Sequence, residues 1–450
     1  MVAKTNGQNS RIKTCIEKTA VILFFIIASI FQGLYFFHQY LIANIVIMIY
    51  AGYIIYQKRD KLFLNRTVIS LFVFSVLYIV SVLYGVNKEG ALREALRVIA
   101  FTPVFMIGSL CHNHHKQWID KGIIISGVIV SLLGLMALSG IFPIEGAVFD
   151  ERVQSTFHYA NTAAVYFMIG IILCLKYLSQ VRSGEWRVVL NLCIYILTCG
   201  LVLTYSRGMW IIFSLFSLFI LLSGRLLDKD SKIRYLFLLA LSAIVSLFLV
   251  SNSGEIRFTV VLLIGAITAI LPEYLGMPFY MNSLKVLMVI GLAAINLVRN
   301  PVYSRITDIG FDVTEWAARM AYYKGALRLI ADYPLFGAGA MGWAVLCEQY
   351  AADYVKYVHN YFLQVLTDVG LTGFASLMVF IISTLVRFAR AKQKDWYYLI
   401  VILTILSHSL IDVDMHFQLI SIIFFLYCGM ICDRGRFETT EKVRFSRKKG

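Results

Sequence analysis

Arginines at short turns, one histidine at the mouth of an apolar run and one acidic turn are the residues of this sequence best fitted to chemistry. Arg207 sits in Thr204-Tyr205-Ser206-Arg207-Gly208-Met209-Trp210, a tight link between two apolar runs. A guanidinium held there can pair through two N–H groups with a phosphate. The plainer reading, favoured for a lone arginine, is a side chain snorkelling at a helix end beside an interfacial tryptophan. Arg319 and Arg328 stand in a later hydrophilic segment. Each has an acid one helical turn away, Glu315 and Asp332, so simple ion pairs account for both. Next to Arg319, Tyr322 and Tyr323 offer rings that can bind a sugar.

His359-Asn360-Tyr361 opens a long apolar run that continues through Gln364, Asp368, Gly370 and Gly373. Histidine is the side chain best suited to proton transfer near neutral pH, although an interfacial histidine is more often a plain helix-end residue. His408-Ser409-Leu410-Ile411-Asp412-Val413-Asp414-Met415-His416 has donors for a divalent cation. A polar turn that satisfies its own helix ends is favoured over that. Pro334-Leu335-Phe336-Gly337-Ala338-Gly339-Ala340-Met341-Gly342-Trp343 lacks the Lys-Ser/Thr ending of a phosphate loop, and its glycines read as a sharp re-entry towards the membrane.

The elements that must position these residues follow from composition. The chain has 450 residues, 59% of them hydrophobic and 15% charged, with a mean hydropathy of +0.76. A soluble domain is about 25% charged, so the solvent of this chain is largely lipid. The predicted fold class is an all-α polytopic membrane protein, one membrane domain over 1–450. Apolar runs of about 20 residues number about fourteen, or twelve if the short pair around Pro272 and Pro278 is re-entrant or broken. The net charge of +15 comes from short basic clusters between the runs, which sets orientation and argues against nucleic acid. With the N-terminus in the cytoplasm, 29 of the 41 Lys and Arg fall on the inner side. Both termini are therefore predicted to be cytoplasmic, and the basic tail 434–450 is drawn to anionic membrane lipids.

On the outer side lie 143–160 and a long loop, 299–358, and ordered loops of such length are usually functional. That loop should carry a helix capped by Asp312 and stopped by Pro334, with Trp316, Met320, Tyr323, Leu327 and Ile330 on one apolar face. The eight cysteines lie almost wholly within or beside apolar runs, Cys347 apart, with neither a disulfide framework nor zinc spacing.

Taken in order, four stretches resemble the O-antigen ligase and polymerase family of bacterial envelope glycosyltransferases. They are Arg152-Val153-Gln154-Ser155-Thr156-Phe157-His158-Tyr159-Ala160-Asn161; Ser206-Arg207-Gly208; Arg319 with Pro334…Gly337-Ala338-Gly339; and His359-Asn360 followed by Asp368-Val369-Gly370-Leu371-Thr372-Gly373. Asp368 stands where the family often has Glu. The resemblance implies a GT-C-like bundle in the bacterial cytoplasmic membrane. It implies transfer of a glycan from undecaprenyl diphosphate to a sugar or lipid-linked acceptor on the outer face. Neither a nucleotide sugar, a metal nor another cofactor is implied. On that reading Arg207 and Arg319 stabilise the departing diphosphate and His359 removes the acceptor proton, with inversion at the anomeric carbon. Arg152, Asn161, Asn360 and Arg328 would bind donor or acceptor. Ligase and polymerase both stay open. A lipid-linked oligosaccharide flippase is the rival from another class. It should carry charges deep in its spans, and here such charge is sparse, near one end of the fourth run at Arg93, Glu94 and Arg97.

Overall fold

In hydrocarbon every backbone N–H and C=O must find its partner within the protein, and a helix does so within its own segment. The computed structural model follows that rule. It describes residues 17–58, 65–111, 113–181, 184–251, 255–297, 313–351 and 353–431. Residues 299–312 of the long loop, with the expected Asp312 cap, and the basic tail 434–450 lie outside the described residues.

The protein is a polytopic all-α membrane protein. Its helices are α1 (17–30), α2 (Phe37–Gln57), α3 (Arg66–Tyr84), α4 (Lys88–Val98), α5 (Phe101–Leu110), α6 (Asn113–Ser139), α7 (Ala160–Leu178), α8 (Gly184–Leu203) and α9 (Arg207–Leu222). They continue as α10 (Lys229–Ser251), α11 (Glu255–Leu275), α12 (Met277–Leu297), α13 (Val313–Asp332), α14 (Trp343–Ala351), α15 (Tyr361–Arg390), α16 (Trp396–His408) and α17 (Gln418–Ile431). Among the described residues six helices, α2, α3, α6, α7, α8 and α15, are long and apolar enough to cross a membrane. Shorter apolar helices are α9, α16, α17 and the Leu262–Leu275 part of α11.

Two details depart from the apolar pattern. The fourth run is not one continuous helix but two, α4 and α5, of 11 and 10 residues, each too short to cross alone. Pro103 in the first turn of α5 has no N–H to offer the Ile99 carbonyl, so the helix breaks just before it. Arg97 of α4 is buried and pairs with Glu94 at 2.6 Å, which keeps both charges inside protein. The pair around Pro272 and Pro278 forms two helices of 21 residues each, joined at Gly276 with φ +85°.

The chain folds into two compact units. The first comprises Met1–Tyr35, Gln117–Arg319 and Leu403–Leu419; the second comprises Phe36–Lys116, Met320–Ile402 and Ile420–Gly450. At the centre of the first, α7 is buried almost throughout and packs on α8, which also carries α10 and α11. A helix apolar on all faces has no surface to give to water, and burial inside a bundle is its stable place. In the second unit α15 lies along α3, and α3 also packs on α4 and α5.

Candidate functional site

The entry to α7 gathers the polar residues of the first unit. A two-stranded hairpin, β1 (Val148–Phe149) and β2 (Arg152–Val153), pairs Phe149 with Arg152. Its two link residues, Asp150 and Glu151, both have positive φ, as a tight two-residue turn requires. Arg152 is thereby fixed on β2. Its Nε donates to the Thr204 carbonyl at 3.0 Å and its Nη2 to Asn161 Oδ1 at 3.2 Å. Asn161, in the first turn of α7, donates through Nδ2 to Asp412 Oδ2 at 2.5 Å. Tyr159 donates its hydroxyl to Asp412 Oδ1 at 2.5 Å, and Thr162 donates to Asp414 Oδ1 at 2.8 Å. Asp414 also holds His408 Nδ1.

Arg319 of α13 joins the same turn. Its Nη1 donates to the Ile411 carbonyl at 2.7 Å and its Nη2 lies 3.7 Å from Asp412 Oδ2. Asp412 and Asp414 have no exposed surface. Buried carboxylates are costly unless paired and hydrogen-bonded, and here the surrounding donors meet that need. Burial first, and then the Asp412 carboxylate, push the Tyr159 phenol well above its usual range, so the group stays a donor.

Arg207 begins α9 directly after the Thr204–Ser206 turn that receives Arg152. Its neighbour Gly208 lets α9 sit against the acidic turn. A Cβ there would come within 2.5 Å of Ile411 Cδ1 and 3.6 Å of His408 Nε2. The Ser206 side chain does not cap α9, so the first-turn amides have no side-chain acceptor there. Arg207 Nε is buried without a hydrogen bond, and among the described residues no carboxylate pairs with Arg207. A guanidinium with that much unused capacity, at a helix N-terminus, is suited to an anion.

The second unit holds His359 by other means. It is half-buried with φ +57°, and its ring stacks on Tyr322 at 6.3 Å between centroids. Tyr323 donates its hydroxyl to the His359 carbonyl at 3.0 Å. Asn360 caps α15, its Oδ1 accepting from the Phe362 and Leu363 amides at 3.0 Å each. Gln364 accepts from the Val358 amide and donates to Asp368 at 2.9 Å; Asp368 also accepts from Tyr78 and the Met341 amide.

The glycine segment lies against α15 and the end of α3. Ala338 N donates to the Thr367 carbonyl, and its own carbonyl accepts from Val86 N. Gly339, at φ +89°, approaches so closely that a Cβ would stand 2.2 Å from the Gly85 Cα. The glycines of this segment thus serve a backbone-to-backbone contact.

Arg328 is exposed and donates to the Tyr350 carbonyl, while Asp332, its expected ion-pair partner, accepts from the Tyr350 hydroxyl at 2.6 Å. That hydrogen bond is the main reason the Tyr350 phenol is pushed up to about 12. Cys347 is buried with Trp343, Ala326 and Leu329.

The structure thus brings Asn161 and Arg319 onto one carboxylate, with Arg152 joined to it through Asn161 and the start of α9 packed on the same turn. His359 and Asn360 belong to the second unit, and Arg328 serves its own loop. Tyr159, Thr162, His408, Asp412 and Asp414 went unassigned by sequence. The Asp-x-Asp was visible, but its partners lie about 250 residues upstream. Among the described residues no group of three or more His, Cys, Asp or Glu is arranged to hold a metal ion.

A family model described as O-antigen ligase matches residues 192–378. The match includes Arg207, Arg319, Arg328, His359 and Asn360, and leaves out Arg152, Asn161 and the 408–416 turn. No curated protein matches the chain.

Proposed function

We propose, from the match of residues 192–378 to an O-antigen ligase family model within a polytopic membrane protein, that the chain transfers a saccharide from undecaprenyl diphosphate to an acceptor sugar hydroxyl, as an O-antigen ligase or polysaccharide polymerase. The family implies lipid-linked glycan substrates. One observation carries the finer reading: a cluster of Arg152, Asn161 and Arg319 tied to Asp412, beside an Arg207 that has no carboxylate partner among the described residues.

The acceptor oxygen attacks the anomeric carbon as the bond from that carbon to the diphosphate oxygen breaks. The leaving diphosphate takes the electron pair, and Arg207 and Arg319 stabilise its growing charge. His359 takes the acceptor proton. A single displacement of this kind inverts the anomeric configuration. Arg152 and Asn161 position the donor, and the aromatic face at Tyr322 and Tyr323 suits the acceptor. The reaction is placed on the outer face of the bacterial cytoplasmic membrane on the strength of the 29-to-12 charge split.

The test is turnover in proteoliposomes with a purified undecaprenyl-diphosphate-linked donor and a sugar acceptor. Product of inverted linkage, formed undiminished in the presence of chelator, is expected. A retained configuration would mean a covalent intermediate, and a rate restored by added manganese or magnesium would move the chemistry to Asp412 and Asp414. Labelling of a cysteine beside Arg319 from the cytoplasmic side alone would overturn the outer-face assignment.

A further inference from the structure

We propose that Asp412 is a positioning residue. Its carboxylate aims the Arg319 guanidinium and, through Asn161, the Arg152 guanidinium at the lipid-linked diphosphate. The proposal rests on the donor-binding role given to those arginines above.

Asp412 has no exposed surface and its two oxygens face different sets of donors. Oδ1 accepts from the Tyr159 hydroxyl and the Val413 amide; Oδ2 accepts from Asn161 Nδ2 and faces Arg319 Nη2. A carboxylate so enclosed is removed from substrate and acts through what it holds. Arg319 keeps 23% of its side chain exposed, so it is fixed from behind by Asp412 and the Ile411 carbonyl while remaining open in front. Asn161 passes the constraint on, because the amide that gives Nδ2 to Asp412 receives Arg152 on Oδ1. Asp414 supports the same turn through Thr162 and His408.

The arrangement has a recognisable cost and return. A negative charge beside a phosphate site weakens attraction for the ground-state donor. Fixed donors, in exchange, need little rearrangement when charge develops on the leaving oxygen. Charge and geometry therefore predict opposite effects on the two kinetic constants. Asp412→Asn removes the opposing charge but places an N–H against Asn161 Nδ2 and Arg319, or, if the amide flips, against the Val413 N–H.

The test is a double-mutant cycle in proteoliposomes, with kcat and donor KM measured separately and melting temperatures checked in detergent. Asp412→Asn should lower kcat about tenfold or more, with donor KM unchanged or lower. In an Arg319→Lys background the same change should cost less than about threefold. Tyr159→Phe keeps the charge but releases Oδ1, and should cost about threefold, again only when Arg319 is present. If Asp412→Asn does not fold, Tyr159→Phe decides alone. Equal losses in both backgrounds, or full activity of Asp412→Asn beside a crippled Arg319→Lys, would sink the positioning role by itself. Wild-type turnover by Arg319→Lys and Arg319→Ala would instead sink the donor-binding reading, and this proposal with it.

Discussion

The two units hold their chemically capable residues in opposite ways. Around Asp412 the side chains are locked to one another by buried charge and hydrogen bonds, and the Thr204 and Ile411 carbonyls hold the two arginines from the side. Around His359 the side chain rests on a tyrosine ring, while the rigidity comes from backbone: an Asn360 cap and glycines in direct contact with neighbouring chain. The difference matches what each proposed task would need. Stabilising a departing diphosphate requires fixed cations that do not rearrange as charge grows. Accepting a proton requires a group that keeps access to its substrate, and a half-buried ring meets that need.

The largest expected effect breaks or keeps the second half of the comparison. His359→Gln retains polar volume but cannot take the proton, so turnover should fall about 10²- to 10⁴-fold with little change in donor KM. An active His359→Gln enzyme in proteoliposomes would reduce His359 to a helix-end residue.

Arg207 probes the first half. Arg207→Lys should be nearly as damaging as Arg207→Ala, because a point charge cannot reproduce two parallel N–H contacts. A loss of about 2–4 kcal/mol of transition-state stabilisation is expected, read from kcat/KM. Wild-type rates with Lys would return Arg207 to the role of a snorkelling anchor.

The backbone-held region should fail through stability. Gly339→Ala adds a Cβ at φ +89° against Gly85, at a cost of about 2 kcal/mol or more from backbone strain and overlap. A lowered melting temperature of the purified protein checks it; an unchanged one would mean that the glycine contact yields easily.

Asn360→Ala is the mildest. Loss of the α15 cap should cost about 1 kcal/mol, with activity well above that of His359→Gln. If Asn360→Ala is as inactive as the histidine variant, the asparagine has a direct role beyond capping.

Helix positions were legible in the sequence because each is a local property. The capping option at Asn360 follows from its place before an apolar run, and the break in the fourth run from Pro103, although a count of apolar residues alone joined the two halves. Arg207, Arg319 and His359 stood out as charged or titratable groups at the ends of apolar stretches. Their partners did not. Local spacing paired Arg328 with Asp332, yet both groups turn to Tyr350, because neighbouring side chains that are able to pair also have competing partners across the fold.

The sequence by itself determined a helical protein that lives in lipid, since a chain this apolar cannot meet water and hydrocarbon leaves its backbone only internal partners. It also determined which residue types were available for anion binding and proton transfer. Tertiary structure alone decided that Asp412 is a hub rather than a turn residue. Asn161 and Asp412 are 251 positions apart, and no periodicity or spacing records a contact at that distance. What brings them together is the requirement that a buried carboxylate be surrounded by donors, a condition that becomes visible only when the helices have packed.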